Sequence, residues 1–348
     1  MLKSSATLAL TPVQEGFEAF DYRTGTQFTC TAPIVDLLSR VTQTTERKQV
    51  CELARTLFEG EADAVLASLL DVGALLDEGS TDAQDEADFL ARWPFGPSTA
   101  IFHQSVSDRA IMPIDAQVDH QIEKARDNPS PPLFFRPGPC DRTFNLPDPE
   151  TSEGLYPHLE RRRTCREGRP FRLELDALSD MLFAGLGITD WTTNRAGQHL
   201  PLRYVPSGGA RNPYDAYVFV APGNELDAGI YRYSSIDHSL TFQDGDAELP
   251  RFSAMLGEQE WADCASAVIV LVANFHRSMW KYEGDDNAYR VILIEAGHIG
   301  QNIMLMAASA GLAACPSAAL NHELISSAAG LTRYEQAPIY AMALTKPG

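Results

Sequence analysis

Residues 289–316 read YRVILIEAGHIGQNIMLMAASAGLAACP, and the fold turns on how this run is taken. From Val291 to Ala310 it is long and apolar enough to be mistaken for a membrane span. Glu295, His298, Gln301 and Asn302 argue otherwise, because four polar groups within eight residues are costly in hydrocarbon. Their three-and-four spacing predicts a polar stripe along one side of a helix buried in a water-soluble core.

Working outward, the neighbouring segments supply partners for such a helix. SAVIVLVANF (266–275), YDAYVFVA (214–221) and the shorter AGIYRYSS (228–235) are rich in β-branched and aromatic residues and read as strands. LELDALSDMLFAGLGIT (173–189) reads as an apolar helix, with Asp176 as an acid in its first turn and Gly187 as its stop. Strands interleaved with helices over about two hundred residues predict an α+β layer fold with a mixed sheet flanked by helices.

The first third has a different texture. Residues 16–30 read as two short strands around a turn at Thr24-Gly25, followed by a helix near Pro33 and another over 45–58. Ala62, Val65, Leu66, Leu69 and Leu70 then form one helical stripe, and GALLDEGS (73–80) reads as a turn and a wing strand. This order predicts a winged-helix-like module over 1–126. Its role is open between peptide binding by strand addition and a plain packing or dimerisation surface. Seven prolines between Asp127 and Pro149 fix φ and remove donors, so 127–150 is expected to be an extended connector. A second domain over 151–348 follows from it.

Composition removes several classes of function. The chain has 348 residues, 44% of them hydrophobic, with a formal charge of −19 and a pI near 4.8. Such an acidic surface excludes nucleic acid and anionic membrane as expected partners. The start MLKSSATLALTPVQEGFEAF carries no convincing secretory signal. Six scattered cysteines without CxxC spacing, and no HExxH, point to reduced thiols in a cytoplasm and to no metal site.

Three places could carry chemistry. RRRTCREGRPFR (161–172) holds six of the 28 basic residues in twelve positions, a donor set suited to phosphate as well as to a solvated turn. VPSGGARNP (205–213) is a tight loop through which backbone can approach a flat ligand, or simply a turn. Lys281-Tyr282 follows a predicted buried strand, where desolvation would favour a lysine base; a surface lysine beside a half-buried tyrosine is the alternative. No GxGxxG or GxxxxGK[ST] occurs.

In this order the motifs resemble the flavin-dependent nitroreductase superfamily, and within it the thiazoline/oxazoline dehydrogenases that aromatise heterocycles on peptides. The resemblance rests on RRRTCR, PSGGARNPYDAYVFV followed by GIYRY, Lys281-Tyr282, and the 289–316 run. RWPFGPSTAIFHQSVSD (92–108) also resembles the segment these enzymes carry ahead of the flavin domain. The resemblance implies that Arg162, Thr164 and Arg166, with Arg163 nearby, hold an FMN phosphate, joined by Lys346. It implies that Ser207, Gly208 and Gly209 lie against the isoalloxazine, and that Pro316, Ser317 and Ala318 form a loop reaching flavin N5. Lys281 and Tyr282 match a pair expected to act at the azoline, with lysine as base and tyrosine as orienter.

The implied activity is FMN-dependent oxidation of thiazoline or oxazoline rings on a peptide, beside a cyclodehydratase and as a homodimer. A nicotinamide-fed flavin reductase and a non-catalytic scaffold are the other readings. The spacer EGDDNA (283–288) is more acidic than the family pattern, CPSAAL carries alanines where that pattern has glycine and phenylalanine, and Thr164 replaces serine.

Overall fold

The computed structural model describes residues 1–108, 113–127, 152–194, 197–243, 248–282 and 285–348. The expected connector after Asp127, and with it the boundary near 150, falls outside the described residues.

The centre of the molecule is a six-stranded sheet in the order Ser239–Phe242, Gly229–Ser234, Tyr214–Val220, Ala267–Asn274, Gln336–Thr345, Ala313–Ser317. Its middle strand, AVIVLVAN, is 0% exposed from Ala267 to Ala273, which explains why it reads as a continuous apolar run. The period of two sorts the strand between faces. Ile269 and Leu271 meet Leu178, Ile299 and Ile303, while Val268, Val270 and Val272 meet Phe219, Met255 and Ile325. Each such side chain withdraws enough apolar area to contribute roughly 2 kcal/mol. The α+β class holds. The sheet is not mixed, however: all five pairings between its described strands are antiparallel.

The run at 289–316 forms the helix Asn287–Ser309 and the edge strand Ala313–Ser317. By length and composition this helix could cross a membrane. Here Ile292, Ile299 and Ile303 are 0–1% exposed in the sheet's larger core, and it packs along the helix Leu175–Leu186. The two helices approach closely at Gly185, where an added Cβ would lie 2.9 Å from Ile303 Cγ1. Asn302 Nδ2 donates to the Ala184 carbonyl at 3.0 Å across the same seam.

The expected polar stripe does not form. Glu295 is buried, His298 is exposed, and Asn302 faces the neighbouring helix. The helix also starts four residues earlier than its apolar run, with Asp286 at its N-cap and the Asn287 N–H donating to Asp285 Oδ1 at 2.9 Å. Asp286 Oδ1 takes the Gly96 N–H at 2.8 Å. These two aspartates of the acidic spacer thus serve the fold.

Near the start of the chain, Leu8–Val13, Gly16–Asp21 and Thr26–Cys30 form an antiparallel three-stranded sheet. The helices Ala32–Arg40, Arg47–Leu57 and Ala62–Asp71 follow and bury Leu37, Val50, Leu66 and Leu69 together. The turn and strand expected at 73–80 form, Gly73 turning at φ +73° and Leu75–Asp77 pairing with Leu2–Ser4. Residues 81–106 then clamp this part to the sheet. Phe95 packs edge-on against Phe275 at 5.4 Å and Tyr289 at 5.2 Å. Asp85 bonds Arg23, Arg333 and the Tyr334 hydroxyl, joining a turn of the small sheet to the loop before the strand Gln336–Thr345.

Candidate functional site

The sequence-predicted residues assemble in two groups. The first is an arginine arm. The helix Tyr156–Arg161 ends in extended backbone at Arg162, and the chain runs on to pair with the C-terminal strand. Arg169 N donates to the Lys346 carbonyl at 2.9 Å, and Lys346 N returns a bond to the Arg169 carbonyl at 3.1 Å. An added Cβ at Gly168 would lie 2.5 Å from Thr345 Cβ, so glycine permits this crossing.

The arm therefore lies beside Lys346 and the edge strand. The Arg166 charge pulls down on the Cys315 thiol, which burial pushes up to about 11. Arg162 acts in the same direction on the Tyr340 phenol, again against burial. Arg162 is half-buried and Arg163, Thr164, Arg166 and Lys346 are exposed. None of these cations forms an ion pair among the described residues, in a chain carrying 47 acids. A set of unpaired guanidinium groups on one short arm is the donor chemistry that a phosphate dianion requires.

Pro316 and Ser317, expected in a loop, instead close the edge strand, in register with Met342 and Ala341. Only Ala318 lies beyond it. Proline has no N–H to offer, so a donor from this segment would have to come from Ser317 or Ala318. The Ser317 hydroxyl is held by Gln259 Nε2 at 3.3 Å and accepts from Ala319 N at 3.1 Å.

The second group surrounds the Ser207–Asn212 turn. Three of its residues adopt left-handed backbone: Gly209 (φ +62°), Ala210 (φ +55°) and Asn212 (φ +48°). Positive φ at a non-glycine residue is costly and survives only where surroundings enforce it. They do so here. Asn212 N donates to Ser207 Oγ at 2.9 Å. The buried Glu295 carboxylate receives hydrogen bonds from the Ser207 side chain and the Gly208 backbone N–H.

Gly208 is needed for the chain's own packing, and Gly209 for its left-handed backbone beside the flexible Lys281 stem. An added Cβ would overlap Val291 at position 208 and would lie 2.5 Å from Lys281 Cδ at position 209. Lys281 and Tyr282 thus belong to this turn, the Tyr282 hydroxyl lying 3.7 Å from an added Cβ at Gly208. Lys281 Nζ sits 5.7 Å from the Tyr282 ring centroid. Of the two readings of this pair, the structure shows the surface one: in the single chain Lys281 is exposed and Tyr282 half-buried.

Among the described residues no hydrogen bond or ion pair joins the arginine arm to the turn, although each group contacts the long helix. The residue that the sequence placed only in a polar stripe, and that the structure sets against the turn, is Glu295. A lone carboxylate in a twenty-residue apolar helix was the available signal, since such a group must find donors or stay protonated. Burial lifts it from 4.5 to about 7, with Ser207, Arg203 and Gly208 pulling it down. It is poised near neutrality directly beneath the turn.

Comparison with known proteins gives this geometry a setting. Residues 159–346 match the family described as Nitroreductase family. A protein of Methanocaldococcus jannaschii named as a nitroreductase is 34% identical over 170 residues, which is 49% of this chain and 80% of that protein. The trifolitoxin-processing protein TfxB of Rhizobium leguminosarum bv. trifolii is 33% identical over 159 residues, 41% of this chain and 39% of that protein. Among solved structures, a chain of the Escherichia coli microcin synthetase McbBCD complex, with truncated pro-MccB17 bound, has the same fold. It is 18% identical, with a TM-score of 0.53, and the match covers 75% of this chain and 97% of that one.

Proposed function

Since the chain belongs to the nitroreductase family, we propose that it is an FMN-dependent dehydrogenase that turns thiazoline or oxazoline rings on a peptide into thiazoles or oxazoles. The observation that carries this reading is the meeting of Lys281-Tyr282 with the strained Ser207–Asn212 turn, a base and a phenol set against a preorganised loop. The likeness to a trifolitoxin-processing protein supports a peptide as the substrate.

The residues present fit a flavin mononucleotide. Arg162, Arg163, Thr164 and Arg166 would hold its phosphate together with Lys346, and Ser317 and Ala318 stand at the neighbouring strand end. FMN, when bound, supplies a two-electron acceptor for hydride. Lys281 Nζ takes the carbon-bound proton of the ring, and Tyr282 orients the lysine through the cation–ring contact already present. Because Lys281 is exposed in one chain, its desolvation has to come from the substrate or from a second copy. The long helix offers a face for that copy, with Ile294 54% exposed and open space beside Gly297. A homodimer would bring one chain's turn to the other's arginine arm.

We assign residues 1–126 to holding the peptide or a cyclodehydratase partner, and the protein to the cytoplasm, in keeping with its five described thiols, all unpaired. The test is oxidation of a thiazoline-containing peptide by purified flavin-loaded protein, with and without a cyclodehydratase, followed as loss of two hydrogens by mass spectrometry. Lys281→Ala should keep the flavin and lower turnover about 10²- to 10⁴-fold. Rapid bleaching by NAD(P)H with no peptide oxidation would replace this reading with a nicotinamide-fed flavin reductase of nitro, quinone or dehydroamino-acid substrates; the Methanocaldococcus relative is named a nitroreductase.

A further inference from the structure

Against residues 210–212 of the turn lies a cavity of about 670 Å³. Four arginines line it, Arg203, Arg211, Arg232 and Arg277, against one carboxylate, Asp215. That aspartate is fully engaged: Arg277 binds both its oxygens at 2.8 and 3.0 Å, and Arg232 adds a third bond at 2.8 Å. Arg211 stacks on Trp280 with its guanidinium carbon 4.9 Å from the ring centroid.

Arg203 is left over. Its Nε and Nη1 are covered and find no hydrogen-bond partner among the described residues, while Nη2 makes only a 3.4 Å contact with Ser235 Oγ. Glu295 acts on it through space without bonding it, and Arg277 repels it. A guanidinium withdrawn from water with unmade bonds is costly, and a negative charge beside it offsets that cost. In a chain at −19, a cavity with a formal surplus of three positive charges is also an isolated attractor for anions.

We propose that this cavity is an oxyanion seat, binding a phosphate or carboxylate group through Arg203 and Arg232, separate from the arginine arm at 162–166. Two sources carry such a group: the phosphate of a nucleotide, or an acidic residue of a peptide. The planar guanidinium fork suits either. The cavity is also lined by apolar side chains, Ile188, Trp191 and Leu200 among them. Because residues 210–212 both line the cavity and belong to the turn, an occupant would bear directly on the loop beside Lys281.

The experiment is calorimetric titration of the flavin-loaded protein at low salt with inorganic phosphate and, separately, with N-acetyl-glutamyl amide. At least one probe should saturate a single site. Arg203→Gln and Arg232→Gln should each weaken it tenfold or more with flavin content unchanged. Saturation by phosphate alone assigns a phosphate donor, and saturation by the glutamyl probe alone assigns a peptide. Should Arg203→Gln fail to fold, Arg232→Gln decides by itself. Absence of saturation for both probes, or unchanged binding in the folded variants, overturns the proposal whether or not the azoline reading stands.

Discussion

Glu295, 3% exposed in the middle of an apolar helix, accepts hydrogen bonds from the Ser207 side chain and the Gly208 N–H, so a buried carboxylate ties down the first two residues of the turn against which Lys281 packs. The tie is unusual in being titratable near neutrality, and that gives it measurable consequences.

Burial raises Glu295 from 4.5 to about 7. Between those values the folded protein keeps a proton that the unfolded chain has released, so stability falls as pH rises through this window. Its upper bound is on the order of 3 kcal/mol, at 1.36 kcal/mol per unit. Glu295→Gln keeps one acceptor and removes the ionisation. Urea unfolding from pH 4.5 to 7.5 should show the slope in the parent and a flattened one in the variant.

His103 works in the opposite sense. Its Nδ1 lies 2.5 Å from the Tyr289 hydroxyl, and burial, helped by His322, lowers its pKa from 6.5 to about 3. Asp108, the acid facing this cluster, acts on His322. The folded state binds fewer protons there than the unfolded chain, so His103's contribution to stability is complete above 6.5 and is lost as pH falls toward 3. Its full extent is on the order of 5 kcal/mol. His103→Gln should remove most of the acid-side loss in the same unfolding series.

The arginine arm makes a separable prediction. Arg162→Gln and Arg166→Gln should each weaken FMN retention about 10- to 100-fold, the effect of one charged hydrogen bond to phosphate. Among the described residues neither side chain has an ion-pair partner, so melting temperature in the absence of flavin should hardly change. Flavin absorbance after gel filtration measures the first quantity and thermal melts the second.

Gly209→Ala distinguishes strain from crowding. Position 209 combines φ +62° with an added Cβ 2.5 Å from Lys281 Cδ, whereas Gly223 has φ +90° and open space. The strain both sites share costs about 1 kcal/mol. Gly223→Ala should show only that loss, while Gly209→Ala should also displace Lys281 and reduce peptide oxidation. Equal activity in the two variants would remove Lys281 from the turn's chemistry.

The elements themselves were readable along the chain because their signals are local. The middle strand's apolar run, the 62–70 stripe and the Gly187 stop each lie within a dozen residues, and Leu175–Leu186 and Ala267–Asn274 form as their periodicity requires. The motif residues were readable too, since arginine density and a double glycine need no partner to be noticed. What the sequence could not carry was distance between remote groups. Glu295 and Ser207 are 88 positions apart, so no periodicity links them, and only packing of the long helix against the turn brings them together. The same packing left Lys281 exposed and Arg203 without a hydrogen-bonded acid among the described residues. Composition by itself fixed an acidic α+β chain with a basic arm and a glycine turn; the antiparallel sheet order, the engaged aspartates and the near-neutral carboxylate were decided by tertiary structure, because burial and solvation belong to a position in space rather than in the chain.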